Sequence, residues 1–81
     1  MRVQVLFFAA ARDAAGTDSL TLELRMGATI QDLKVALMNQ SPRLSSISGS
    51  LLWALNNQYQ SLQHVLKDND TVACFPPVSG G

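Results

Sequence analysis

The spacing of apolar positions changes repeatedly along this chain, and each change marks an element. Val3, Val5 and Phe7 interleave with Gln4, Leu6 and Phe8, so the first segment is apolar on both faces. That pattern predicts a central strand covered on each side. Ala9 to Ala15 is alanine-rich and followed by Gly16, which predicts a short helix closed by a glycine cap. Thr17-Asp18-Ser19 then reads as a turn. Leu20, Leu22 and Leu24 alternate with Thr21, Glu23 and Arg25, the signature of a half-buried strand that breaks at Met26-Gly27-Ala28. From Thr29 the period lengthens. Thr29 with Asp32 three residues later forms a capping-box signal, and Ile30, Leu33 and Leu37 fall on one helical face beside Ala36 and Gln40. Ser41-Pro42 ends this helix, because a residue before proline is pushed out of the helical region.

The second half is less regular. Residues 43–50 are polar and serine-rich, with Leu44 and Ile47 as tethers to the core. Leu51 to Leu55 predicts a strand, Asn56-Asn57 a tight turn, and Tyr59-Gln60 a short return strand. Leu62 to Leu66 suits one helical turn. Asp68-Asn69-Asp70 turns the chain into a last strand, Thr71 to Phe75, which Pro76 ends because it cannot donate to a ladder. The order of strand, short helix, strand, long helix and further strands predicts an α+β fold. It is a β-grasp: a mixed sheet of four to five strands packed on one main helix plus a short helix. A ferredoxin-like arrangement is the rival, disfavoured because only one long amphipathic helix is visible. The expected division is a folded domain over 1–75 and a flexible tail over 76–81.

Composition narrows the function. The 81 residues make one small domain in which 47% are apolar and 15% charged. So small a body cannot hide that much apolar surface, and part of it is expected to face a partner. Six basic residues balance six acidic ones, which leaves no basic stripe for nucleic acid. There is no secretory leader pattern and no membrane-length apolar run, so a cytoplasmic location is expected. The lone Cys74 sits within a strand and reads as a buried structural thiol; His64 lacks partners for a metal. Trp53 reads as a core residue, and Asp68 and Asp70 as turn formers. Nothing here composes an autonomous enzyme.

The informative chemistry lies in Pro76-Pro77-Val78-Ser79-Gly80-Gly81. Two such doublets at fixed positions arise by chance roughly once in 10⁵ chains. Gly80 and Gly81 carry no Cβ, so they can thread a narrow channel and bring the Gly81 carboxylate to a partner's reacting groups. Pro76 and Pro77 stiffen the base of the tail. Phe8, Phe75 and Val78 are candidates for docking, with Arg12 as a charged rim contact and Ser79 as part of the slender tip. Core packing for the two phenylalanines and a solvated helix face for Arg12 are the competing readings.

These segments resemble a known family. Phe7-Phe8-Ala9-Ala10-Ala11-Arg12 through Gly16 is similar to the F-A-x-x-R-x-x-x-G segment of the small, sulfur-carrying subunits of molybdopterin synthase, proteins of ubiquitin-like fold. Asp68 to Ala73 and Phe75 to Gly81 resemble that family's D-G-D-x-V-A and F-x-P-P-V-[ST]-G-G, with Asn69 in place of the turn glycine. The resemblance implies that an ATP-dependent, E1-like enzyme adenylates Gly81. A persulfide donor then converts it to a thiocarboxylate, and a large synthase subunit, paired in a heterotetramer, uses that sulfur on a cyclic pyranopterin phosphate. No cofactor bound to this chain is implied. A carrier for thiazole synthesis, a ubiquitin-like modifier of lysines and an inert binding module are the alternatives.

Overall fold

A computed structural model of the chain describes residues 1–77. Five strands form one mixed sheet: β1 (Arg2–Phe7), β2 (Ser19–Glu23), β3 (Leu52–Leu55), β4 (Gln58–Tyr59) and β5 (Thr71–Phe75), in the order β2-β1-β5-β3-β4. Only β1 and β5 run parallel; every other neighbouring pair is antiparallel. Helix α1 (Ala10–Ala15) follows β1, and the main helix α2 (Ile30–Gln40) crosses beneath the sheet. The arrangement is the expected β-grasp.

Local chemistry explains the long helix. The Thr29 hydroxyl accepts from the Asp32 backbone N–H at 3.3 Å, and the Asp32 carboxylate accepts from the Thr29 N–H at 2.9 Å. That reciprocal box satisfies two amides that the first helical turn leaves free. The Thr29 N–H, ahead of a weaker contribution from the Arg25 guanidinium, holds the Asp32 carboxyl below its usual value. Ile30, Leu33 and Leu37 are fully buried and pack against Val3, Val5, Val72 and Cys74.

Several expectations change in the structure. Ala9 is not helical: it holds φ 53° and ψ −129° between β1 and α1, and the helix starts one residue later. Gly16 does cap α1 in the left-handed region, at φ 75°. The serine-rich stretch contains helix α3 (Pro42–Ser45) and a 3₁₀ turn at Ser48–Ser50. Ser41 explains it, since its N–H closes α2 onto the Leu37 carbonyl while its hydroxyl caps α3 by accepting from the Leu44 N–H. Leu44 is the fully buried tether and Ile47 packs at the core's edge. Leu62 to Leu66 forms no helix; Val65 instead bridges Thr29. The return strand sits one residue early, at Gln58–Tyr59.

The largest correction concerns β1. Val3, Val5 and Phe7 are buried beneath the helices, but Gln4 is exposed, Leu6 half-buried and Phe8 50% exposed. The strand is central, and among the described residues only one of its faces is covered. Apolar residues stand on the open face as well as on the covered one, so alternation alone could not separate the two cases.

Candidate functional site

The outer face of the sheet brings two of the candidate residues, Phe8 and Phe75, together. Strand β5 lies between β1 and β3, with Leu6 opposite Ala73, Ala73 opposite Ala54, and Ala54 opposite Tyr59. These four residues form one row across four strands, because cross-strand partners share a face. The next row brings Leu52 opposite Phe75. Phe8 extends β1 by donating its N–H to the Cys74 carbonyl at 3.1 Å, and its ring stays half exposed. Phe75 is half-buried and tilts against Tyr59, with ring centroids 5.7 Å apart. The face is therefore apolar over its centre. Its charges are confined to one corner, where Arg2 pairs with Glu23 at 3.2 Å.

A shallow pit opens in this face, about 280 Å³ in volume. Ala54 and Ala73 lie at its base with Thr71, Leu6 and Phe8 line one side, and Asn56 and Asn57 another. Both asparagines hold positive φ, 54° and 66°, as the tight turn between β3 and β4 demands.

Phe8 and Phe75 are thus brought onto one face, beside Pro76 and Pro77, the latter exposed. Arg12 lines a separate, open and polar depression with Asp13, Thr17 and Asp18, its guanidinium 3.7 Å from the Asp18 carboxylate. Both side chains are largely exposed, so that pair contributes little to stability. Val78, Ser79, Gly80 and Gly81 lie outside the described residues. Sequence reasoning missed Tyr59, Leu52 and the two alanines as members of this face. The alternation of β3 carried the signal for Leu52 and Ala54, but only strand register aligns them with Phe75 and Ala73.

The remaining polar chemistry is structural. Cys74 is fully buried, and burial pushes its thiol up to about 12, far from a reactive thiolate. Trp53 is buried in the core. Asp68 accepts from the Arg2 N–H at 2.8 Å and Asp70 from the Lys67 N–H at 2.7 Å, with Asn69 at φ 69° between them. Among the described residues no cluster of His, Cys, Asp and Glu could hold a metal, and no helix is long and apolar enough to cross a membrane.

Comparison with known proteins agrees with this geometry. The molybdopterin synthase sulfur carrier subunit of Chlamydomonas reinhardtii is 41% identical over 83 aligned positions, covering all of both chains. The solution structure of small archaeal modifier protein 1 from Methanosarcina acetivorans superposes with a TM-score of 0.83 at 31% identity, covering 99% of this chain and 96% of that one. A chain from the complex of subunits 1 and 2 of the molybdopterin-converting factor of Helicobacter pylori superposes with a TM-score of 0.72 at 27% identity, covering all of both. The model of the ThiS family matches residues 5–81, nearly the whole length, and the chain belongs to that family.

Proposed function

We propose that this chain is the sulfur-carrying small subunit of a molybdopterin synthase. The observation that carries the reading is the continuity of β5 with the tail: the strand that forms the middle of an open apolar face leads straight into Pro76-Pro77 and on to Gly81. Six residues span at most about 20 Å, so a partner that acts on Gly81 must stand close to this face. Likeness to named sulfur carriers of the same length, and to a subunit seen in a two-subunit complex, supports it.

The chemistry follows from what a carboxylate lacks. Its oxygen is a poor leaving group, so an activating enzyme spends ATP to form the Gly81 acyl adenylate, releasing pyrophosphate. A persulfide sulfur attacks that carbonyl carbon and AMP departs. Reductive cleavage of the sulfur–sulfur bond by a thiol leaves the thiocarboxylate. On the large subunit this soft nucleophile gives its sulfur to a cyclic pyranopterin phosphate, and hydrolysis restores the carboxylate. The dithiolene needs two sulfurs, hence two carriers acting in turn. This chain's residues supply access and docking; the substrate groups belong to the partner.

Docking must offset the ordering of the tail. Fixing Ser79, Gly80 and Gly81 opposes binding by roughly 3–6 kcal/mol, at 1–2 kcal/mol per residue. One buried large apolar side chain contributes about 1.5–3 kcal/mol, so Phe8, Phe75 and Val78 together cover that cost. Arg12, on the helix just after Phe8, adds a charged rim contact. We place the chain in the cytoplasm, where ATP and the persulfide donor are available.

Intact-mass measurement of protein from cells synthesising molybdenum cofactor tests the reading, and checks that Gly81 is the terminal residue. One oxygen exchanged for sulfur at the C-terminus is expected. Persistent absence of that exchange, with molybdopterin still formed, contradicts it. The likeness to an archaeal modifier protein favours a second reading, conjugation to lysines. Gly-Gly remnants on target lysines after proteolysis distinguish it.

A further inference from the structure

The alanines at the base of the pit have no explanation in the folding of this chain. Ala54 and Ala73 face each other across β3 and β5 near the centre of the sheet, where β-branched and aromatic residues pair best and alanine is a poor strand former. Both are only half-buried, and no helix packs over them. Both line open space, so a valine at either site is expected to fit and to improve strand propensity. What the two small side chains do provide is the space between Leu6, Phe8 and the Asn56-Asn57 turn.

The geometry points to a socket. It takes one apolar side chain, of leucine, methionine or phenylalanine size, from the large synthase subunit, with the exposed amides of Asn56 and Asn57 bonding the peptide groups that flank it. This rests on the proposed sulfur-carrier reading and adds to it the feature by which the partner is gripped and registered. Three observations fix the occupant as a protein side chain. The pit is open and shallow, unlike the enclosed cleft that buries most of a small molecule. Its lining has no charged group for a phosphate or pterin. Its base includes Ala73 on β5, so whatever seats there stands next to the strand that delivers the tail. A partner side chain seated there sets the distance between the docked body and Gly81, and the six residues from Pro76 to Gly81 span at most about 20 Å.

The test is filling the pit. Ala73→Val and Ala54→Val are each expected to hold or raise the thermal midpoint, because strand propensity improves and no core contact changes. Each is expected to weaken binding to the large subunit from the same source by about 10–100-fold in calorimetry, the effect of overpacking a complementary hole. Gln31→Leu, an equally apolar change on the exposed side of α2, should leave that affinity within about twofold. Ala73→Ser, which keeps the volume small, should bind nearly as wild type and guards against a variant that folds poorly. If wild-type chain binds the large subunit and both valine variants bind equally well, the socket is wrong and the carrier reading stands. If the wild-type chain does not bind it at all, the carrier reading itself fails.

Discussion

The two faces of the sheet are made by the same strands and almost the same kinds of residue, yet they answer to different demands. On the inner face Val3, Val5, Phe7, Val72, Trp53 and Leu55 are large and buried against α2, as close packing in a small core requires. On the outer face the large residues Leu6, Phe8, Phe75 and Tyr59 flank two small ones, Ala54 and Ala73. A core has no use for a hollow centre. The inner face is what the chain needs to fold, and the outer face is what the proposed carrier reading uses for docking.

Phe7 and Phe8 put that contrast in adjacent residues. Phe7 is 2% exposed within the core cluster, whereas Phe8 is 50% exposed. Phe7→Ala is expected to cost about 3–5 kcal/mol in urea unfolding, through lost burial and the cavity left behind. Phe8→Ala should move stability by less than about 1 kcal/mol and weaken large-subunit binding by about 2 kcal/mol, near 30-fold. Equal stability losses from the two substitutions would erase the distinction between the faces.

Cys74 tests the inner face through its titration. Its thiol is neutral in the fold, with its titration pushed up to about 12 by burial. An unfolded thiol ionises near 8.5. The folded value lies above the unfolded one, so this contribution is fully present below about 8.5 and is lost as pH rises from there towards about 12, at up to about 1.4 kcal/mol per pH unit. Urea midpoints between pH 8 and 10 should fall, with the slope reduced in Cys74→Ala. A thiol reagent should label the native protein no faster than it unfolds. Rapid labelling under native conditions would mean the inner face is open.

How much of this was legible depended on whether a rule was local. The Thr29–Asp32 box, the Gly16 cap, the Asn56-Asn57 turn and the left-handed Asn69 each follow from residues within a few positions of one another, and the β-grasp class followed from the succession of elements. Helix α3 was missed because its tether, Leu44, is isolated among serines, although Ser41-Pro42 is both a stop for one helix and a cap and first turn for the next. The outer face was legible only in part. Phe8 and Phe75 could be suspected, but burial on one side of β1 and exposure on the other depend on which side α2 packs. The row Leu6–Ala73–Ala54–Tyr59 joins residues from four strands, and no spacing in the sequence aligns them.

The smallest effect is expected at Ala9, where the chain passes from the outer face to the core. Phe8 through Ala11 forms a turn closed by the Ala11 N–H donating to the Phe8 carbonyl at 3.1 Å. Ala9 occupies its first central position at φ 53° and ψ −129°, the type II′ conformation that favours glycine. An alanine held there is strained by about 1–3 kcal/mol. Replacing it with glycine relieves that strain but frees the unfolded chain, which takes back about 0.4–1 kcal/mol. Ala9→Gly should therefore stabilise the protein by about 1 kcal/mol, read as a higher urea midpoint. The same freedom loosens the segment that presents the Phe8 ring, so affinity for the large subunit should fall by about threefold even as stability rises. Opposite signs in the two measurements sharpen the contrast between a face built for folding and one built for docking. A destabilised Ala9→Gly variant would show that the methyl at this turn packs where the structure leaves it exposed.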